Sequence, residues 1–190
     1  MDQFSLLVEK IIECHKNKGR AVIAISGLGG SGKTTLRKKL IAEIPHARFI
    51  DVEDFYKTEA ERKENHGSDD IISNCFDWDR METVFALLQE GRGLCYQKYN
   101  LDKNIREGWV EIDPHGITIL DGIYCLQDRF LPHYDLSVWV DAPRDIRMER
   151  VLKRDPEWKH KWWNLWMDQD DRYVEVENPA QKAHIVYSGI

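Results

Sequence analysis

The chain has 190 residues, 42% hydrophobic and 32% charged, with 27 Lys and Arg against 33 Asp and Glu for a formal net charge of −6. That length suits one domain, 1–190, because a single hydrophobic core still serves it and a second would be thinly supplied. The acidic balance leaves no chain-wide electrostatic footprint for nucleic acid or anionic membrane, so any phosphate it binds must be held locally.

Cys14, Cys75, Cys95 and Cys125 form no CxxC pair and no Cys/His zinc spacing, which argues against a disulfide framework or a metal knuckle and for a reducing compartment. The opening MDQFSLLVEKIIECHK carries Asp2 and Glu9 through its apolar part, unlike a basic-then-apolar leader, and no run approaches a membrane span. A cytoplasmic protein is expected, with no membrane or nucleic-acid partner. Phe4, Leu7, Val8, Ile11 and Ile12 recur at helical spacing, predicting an amphipathic helix over 1–18 that ends near Gly19 and packs on its own domain.

Ala21 to Ile25 is continuously apolar and β-branched, the pattern of a strand buried on both faces of a parallel sheet. It runs into GLGGSGKT, residues 27–34, which fits G-x-x-x-x-G-K-[ST], and a helix is predicted from Thr34 to Glu43. Glycines let the backbone curl until successive N–H groups converge on phosphate oxygens, and the helix start adds partial positive charge. Gly27, Leu28, Gly29, Gly30, Ser31, Gly32, Lys33, Thr34 and Thr35 are therefore the expected nucleotide cradle. Lys33 neutralises the β and γ phosphates, and Thr34 offers a hydroxyl to Mg²⁺.

A second strand is predicted at Ala47 to Val52, running into the acidic stretch DVEDFY. If a hydroxyl rather than water accepts the phosphoryl group, a carboxylate near the γ-phosphate must take its proton, and chemistry alone does not choose among Asp51, Glu53 and Asp54. Asp79 to Gln89 reads as a helix closed by Gly91, and Leu94 to Tyr99 with Gly108 to Ile112 as an inserted hairpin, about 94–112. Ile117 to Leu120 is a buried strand that places Asp121 at its end, suited to holding Mg²⁺ directly or through water. Asp121 is followed by Gly122 rather than Glu, and there is no NKxD or DxxG, so motor ATPase and switch GTPase both lose weight.

Leu136 to Val140 and His184 to Tyr187 complete five predicted strands, and Arg144 to Arg154 is a helix between them. Alternating strands and helices predict an α/β fold, a three-layer sandwich around a five-stranded parallel sheet. Arg147, Arg150 and Arg154 share one helix face, either solvated beside Asp145 and Glu149 or presented to phosphates. Asp155-Pro156 ends that helix early. Trp158, Trp162 and Trp166 would form an aromatic face if helical, open to core packing, an acceptor-pocket wall, or an oligomer or membrane-surface contact.

GLGGSGKTT, DFY after the second strand, FDW, ILDGIY and YDLSVWVDAPRDIRMERVLKRD occur in an order that resembles the uridine kinase-like family of P-loop kinases, which also takes in phosphoribulokinase and pantothenate kinase. The resemblance runs from about Arg20 to Gly189. It implies a P-loop NTPase fold of the nucleoside/nucleotide-kinase type with a short helical lid, the lid and Trp-rich segment spanning about 144–170. It implies ATP and Mg²⁺ as cofactors and transfer of the γ-phosphoryl group to a hydroxyl of a small molecule, a nucleoside 5′-OH first. Pantothenate, glycerate, a sugar phosphate and nicotinamide riboside compete as acceptors, and a regulatory ATP-binding protein without an acceptor is the alternative from another class.

Position by position, the resemblance makes Asp54 the general base toward the acceptor and Tyr56 part of the substrate wall. It makes Asp77 the acid that grips ribose hydroxyls, and Asp121 a metal-supporting acid. Thr34, Asp121 and Asp54 are the expected metal residues, leaving Asp51 and Glu53 to strand-end solvation or indirect metal support. Arg150 and Arg154 are the expected lid arginines, and Tyr99, Arg106 and Arg172 join the expected substrate contacts. Asn104 stands where pyrimidine nucleoside kinases carry a base-reading His, and Asn is shorter and cannot stack or titrate as His does. A small-molecule partner is expected, with self-association left open, and His184 is expected to be structural.

Overall fold

The computed structural model describes residues 2–64, 74–161 and 165–190. Helix α1 (Gln3–Lys18) starts at Asp2, whose carboxylate accepts the Ser5 N–H at 2.8 Å, and ends at Gly19, whose φ of 69° suits a residue without a Cβ. Strand β1 (Arg20–Ser26) then leads through the glycine-rich loop into α2 (Lys33–Glu43). Strand β2 (Arg48–Asp51) passes into a 3₁₀ turn, Val52–Phe55, followed by α3 (Glu59–Glu64).

Helix α3 has no counterpart among the expected elements, although Thr58-Glu59-Ala60-Glu61 spells a capping box. The Thr58 N–H donates to Glu61 Oε2 at 2.7 Å and the Glu61 N–H returns to Thr58 Oγ1 at 3.4 Å. Helix α4 (Trp78–Gln89) starts at Asp77, which accepts the Arg80 N–H at 3.2 Å. The hairpin pairs β3 (Leu94–Asn100) with β4 (Ile105–Ile112), so β4 begins earlier than the expected Gly108. A tight connection explains the longer ladder: Asn100 Oδ1 accepts the Lys103 N–H at 3.0 Å, and Asn104 adopts a left-handed φ of 53°.

Strand β5 (Gly116–Asp121), β6 (Leu136–Asp141), α5 (Arg144–Arg154), α6 (Met167–Glu177) and β7 (Ile185–Ser188) complete the order. The sheet runs β2-β5-β1-β6-β7 with every pair parallel, as expected for five buried strands. Alternation along β1 sends Val22 and Ala24 to one core with α4 and the hairpin, and Ala21, Ile23 and Ile25 to a second core with α1 and α2. The sheet is thus covered on both faces, a three-layer α/β arrangement with the phosphate loop at the C-terminal end of its central strand.

The tryptophan segment leads up to α6. A 3₁₀ turn at Pro156–Trp158 and a helical turn at Lys159–Lys161 precede it, and Trp162 lies outside the described residues. Trp166 packs beside Val151 and Met167. Trp158 is 43% exposed, so core packing does not describe it; its ring centroid lies 6.1 Å from that of Trp166, with Lys161 Nζ 4.3 Å above it. His184 is structural in its contacts, its Nδ1 accepting the Ser137 N–H at 3.0 Å.

Asp135 joins β1 to the start of β6. It accepts the Val22 N–H at 2.8 Å through Oδ2, and its own N–H donates to Val22 O at 2.8 Å. Asp135→Ala leaves a strand N–H without that acceptor, so urea unfolding should show a loss of about 1–3 kcal/mol.

Candidate active site

Gly30 and Gly32 have φ values of 77° and 108°, a conformation that the loop requires and L side chains resist. Close packing adds a second constraint. A Cβ on Gly27 would lie 2.5 Å from Val140 O, and one on Gly189 would lie 1.7 Å from Ser31 O. The C-terminal end of β7 therefore buttresses the loop, and Arg150 braces both by donating to Gly30 O at 3.2 Å and Gly189 O at 2.9 Å. Lys33 folds over the loop, its Nζ donating to Gly27 O at 2.6 Å and Leu28 O at 3.1 Å. Burial pushes the Lys33 ammonium below its ordinary pKa, against the pull of Asp121 and Asp170. Thr34 and Thr35 are exposed at the start of α2.

Parallel register sets Asp51 opposite Asp121 at the ends of β2 and β5, and Ile25 of β1 opposite Asp121 on the other side. Arg37 bridges the two acids, bonded to Asp51 Oδ1 and 3.4 Å from Asp121 Oδ2. Burial raises the Asp121 pKa while Lys33 and Arg37 lower it. Thr34 and Asp121 offer hard oxygen donors that suit Mg²⁺. Among the described residues no group of three or more His, Cys, Asp or Glu gathers to hold an ion unaided, which fits an ion that keeps waters and takes phosphate oxygens as its remaining ligands.

The 3₁₀ turn after β2 decides between the neighbouring acids. With three residues per turn, successive side chains point about 120° apart, so Glu53 and Asp54 cannot face the same site. Asp54 is buried; its Oδ2 accepts the Tyr96 hydroxyl at 2.8 Å and lies 3.7 Å from Lys98 Nζ, so it faces the hairpin rather than standing beside Thr34. Burial raises its pKa, and the Tyr96 bond and Lys98 oppose the rise. Glu53 is solvent-exposed, and charged groups surround its carboxylate. Loss of solvation and then Asp51 raise its pKa, Lys33 and Arg154 pull it down, and Asp121 adds to the rise. Glu53 thus stands in the field of the phosphate-loop lysine.

On the acceptor side, Tyr56 stacks on Phe76 at 4.3 Å and meets Tyr99 at 5.6 Å between ring centroids. Asp77 and Arg106 come together, 3.2 Å apart, and Arg106 also takes Glu61 at 2.7 Å. Arg80 ties the aromatic cluster to the turn after β2 by donating to Asp54 O at 2.6 Å and Gln97 O at 2.8 Å. Asn104 Oδ1 accepts the Tyr99 hydroxyl at 2.7 Å and the Glu59 N–H at 2.9 Å. The predicted residues Tyr56, Asp77, Tyr99 and Arg106 therefore form one cluster.

The arginines of α5 separate. Arg147 is 4% exposed and pairs with Asp170 at 3.2 Å, Arg150 braces backbone carbonyls, and Arg154 pairs with Asp155 at 2.5 Å while sensing Glu53. The three guanidiniums of the expected face take different partners, and both Arg147 and Arg150 meet the phosphate loop at Gly30. Arg172, an expected substrate contact, is exposed on α6 between Asp171 and the buried Tyr173, and no described contact brings it to the acceptor cluster. Tyr96, Arg37, Arg80 and Asp170 join the site without having been expected. All four act across long sequence separations, and no local motif marks them.

Comparison with known proteins bears on the family and the fold. A family model described as Phosphoribulokinase / Uridine kinase family matches residues 22–161. A uridine kinase from Streptococcus agalactiae is 28% identical over 172 residues, covering 86% of this chain and 80% of that protein. A uridine kinase from Ureaplasma parvum is 26% identical over 186 residues, covering 90% of each. Among solved structures, one described as a possible uridine kinase from Bacillus stearothermophilus superposes with a TM-score of 0.70 at 20% identity, over 96% of this chain and 99% of that one. A D-glycerate 3-kinase from Cryptococcus neoformans gives a TM-score of 0.61 at 14% identity, over 96% and 88%. At these identities the structures share the fold.

The contact between Gly189 and Ser31 is backbone against backbone, so neither side can yield by a rotamer change. Gly189→Ala should weaken MgADP binding about tenfold while far-ultraviolet circular dichroism stays unchanged, because the loop is displaced and the sheet is not.

Proposed function

The chain belongs to the phosphoribulokinase / uridine kinase family and is an ATP-dependent phosphotransferase, and from that premise we propose that it moves the γ-phosphoryl group of MgATP to the 5′-hydroxyl of a nucleoside. One observation carries this reading: the turn that bears Glu53 and Asp54, with Glu53 feeling the charge of Lys33, runs straight into the wall of Tyr56, Phe76 and Tyr99, with the Asp77–Arg106 pair in the same cluster. Flat aromatic surface suits a base, and a carboxylate suits sugar hydroxyls. The relatives named uridine kinase support the same acceptor class.

In this reading Lys33 and the N–H groups of the loop hold the β and γ phosphates, and Thr34 with Asp121 would hold Mg²⁺, which would supply charge neutralisation on the phosphate oxygens. The acceptor oxygen bonds to the γ-phosphorus, the bond to the β,γ-bridging oxygen breaks, and ADP leaves. Glu53 takes the acceptor proton in place of the expected Asp54, because Glu53 shares the field of Lys33 and Asp121 while Asp54 is bonded to Tyr96. Asp54 then positions the turn and its side of the acceptor wall.

Glu53→Gln should lower kcat about 10²- to 10⁴-fold with MgADP affinity nearly intact, and Asp54→Asn should lower it less and raise the acceptor KM. If Asp54→Asn carries the larger loss, the base is Asp54. In the unaltered enzyme kcat/KM should fall with decreasing pH through an apparent pKa above the usual carboxylate range. The sign follows because a raised pKa protonates the base at higher pH, and the protonated acid cannot accept the hydroxyl proton.

A second reading, a non-nucleoside hydroxyl acceptor, is favoured by Asn104, whose side chain is engaged by Tyr99 and Glu59 rather than turned to read a base. ADP formation from MgATP across uridine, cytidine, purine nucleosides, nicotinamide riboside, pantothenate and glycerate decides between them. A nucleoside with the highest kcat/KM supports the first reading, and glycerate or pantothenate in that place overturns it.

A further inference from the structure

Asp170 lies on α6, 141 positions from the phosphate loop, and is 1% exposed. Its Oδ2 accepts the Gly29 N–H at 3.1 Å and pairs with Arg147 Nη1 at 3.2 Å, while its Oδ1 accepts the Tyr124 hydroxyl at 3.2 Å. Arg147 reaches Asp171 as well, at 3.6 Å, and its own carbonyl packs so closely on the loop that a Cβ on Gly30 would lie 2.5 Å from it. The carboxylate is therefore the point where the phosphate loop, the arginine helix and the loop after Asp121 meet.

Tyr124 gives this junction a route to the acceptor side. Its backbone sits at φ 67°, a region that bulky L residues rarely adopt, and the hydroxyl bond to Asp170 is one of the contacts that hold it there. Its ring packs edge-on against Tyr173 at 5.0 Å and Phe76 at 6.3 Å, and Phe76 stacks on Tyr56. One carboxylate oxygen thus fixes a loop that binds phosphate, and the other fixes a ring behind the acceptor wall.

We propose that Asp170 is a positioning residue for phosphoryl transfer, holding the Gly29 end of the phosphate loop through one oxygen and the Tyr124 support of the acceptor wall through the other. It rests on the reading of the chain as a phosphotransferase, not on the identity of the acceptor. A purely structural Asp170 would only neutralise the buried Arg147. A competing Asp170 would hold the loop against nucleotide and be displaced by it. These three roles give different signs.

The test uses two paired variants, so that no orphan charge is left buried. Arg147→Met with Asp170→Ala removes the charge pair and the acceptor of the Gly29 N–H together. Arg147→Met with Asp170→Asn restores an amide oxygen at that position. Thermal melts establish that both fold, calorimetry with MgADP alone reads the loop, and steady-state kinetics with the best acceptor reads transfer.

The Ala pair should weaken MgADP binding about tenfold and lower kcat about 10- to 100-fold, and the Asn pair should return both to within about threefold of the unaltered protein. Unaltered binding and turnover in the Ala pair would overturn the proposal in favour of simple charge balance. Tighter MgADP binding would overturn it in favour of competition. Tyr124→Phe leaves the ion pair whole and decides the matter if the paired variants do not fold. It should raise the acceptor KM about three- to tenfold with MgADP affinity unchanged, and an unchanged acceptor KM removes the coupling.

Discussion

A phosphate loop built largely of glycine has, beyond Lys33, few side chains with which to hold its own shape. Gly30 and Gly32 supply the left-handed backbone that lets N–H groups converge, but the same freedom would let an isolated loop collapse into many conformers. The rest of the molecule is arranged to remove that freedom from outside. Val140 and Gly189 press on it from β6 and the end of β7, Arg150 ties its carbonyl to the C-terminal segment, and the backbone of Arg147 closes over Gly30. Each support comes from an element distant in sequence, so the loop is rigid only when the whole sheet is assembled.

The same logic governs the acids. Parallel pairing of β1, β5 and β2 brings Asp121 and Asp51 to one edge of the sheet, and Arg37 balances two carboxylates that would otherwise repel. The strand's passage into a 3₁₀ turn then divides Glu53 from Asp54 by a rotation about the chain. Glu53 stays exposed among charged groups and Asp54 turns to the hairpin, where the Tyr96 hydroxyl and Lys98 stabilise a buried carboxylate. Two adjacent residues of the same chemistry thereby acquire different surroundings.

The aromatic cluster, proposed as the acceptor wall, draws on four segments: the turn after β2, the residues before α4, the hairpin and the loop after Asp121. Their rings, Tyr56, Phe76, Tyr99 and Tyr124, pack on one another, and the charged groups sit at the margin, where Arg106 and Arg80 are shared among Asp77, Glu61 and the carbonyl of Asp54. Shape in this region depends on stacking between segments, so a small change in one ring is transmitted to the next.

Features that rest on neighbours in the chain were legible before any folding was considered. GLGGSGKT defines its own backbone and charge, the apolar runs announce buried parallel strands by their composition, and the α1 and α4 stripes follow from helical spacing. The capping box at Thr58 was equally local and open to the same reading. Direction and partnership, by contrast, came from packing. Whether Glu53 or Asp54 faces the phosphates depends on a turn geometry set by packing, and the split of Arg147, Arg150 and Arg154 depends on what lies against each side of α5. Asp170 reaches Gly29 across 141 positions, a contact that no local pattern encodes because it exists only once both layers of helices have closed on the sheet.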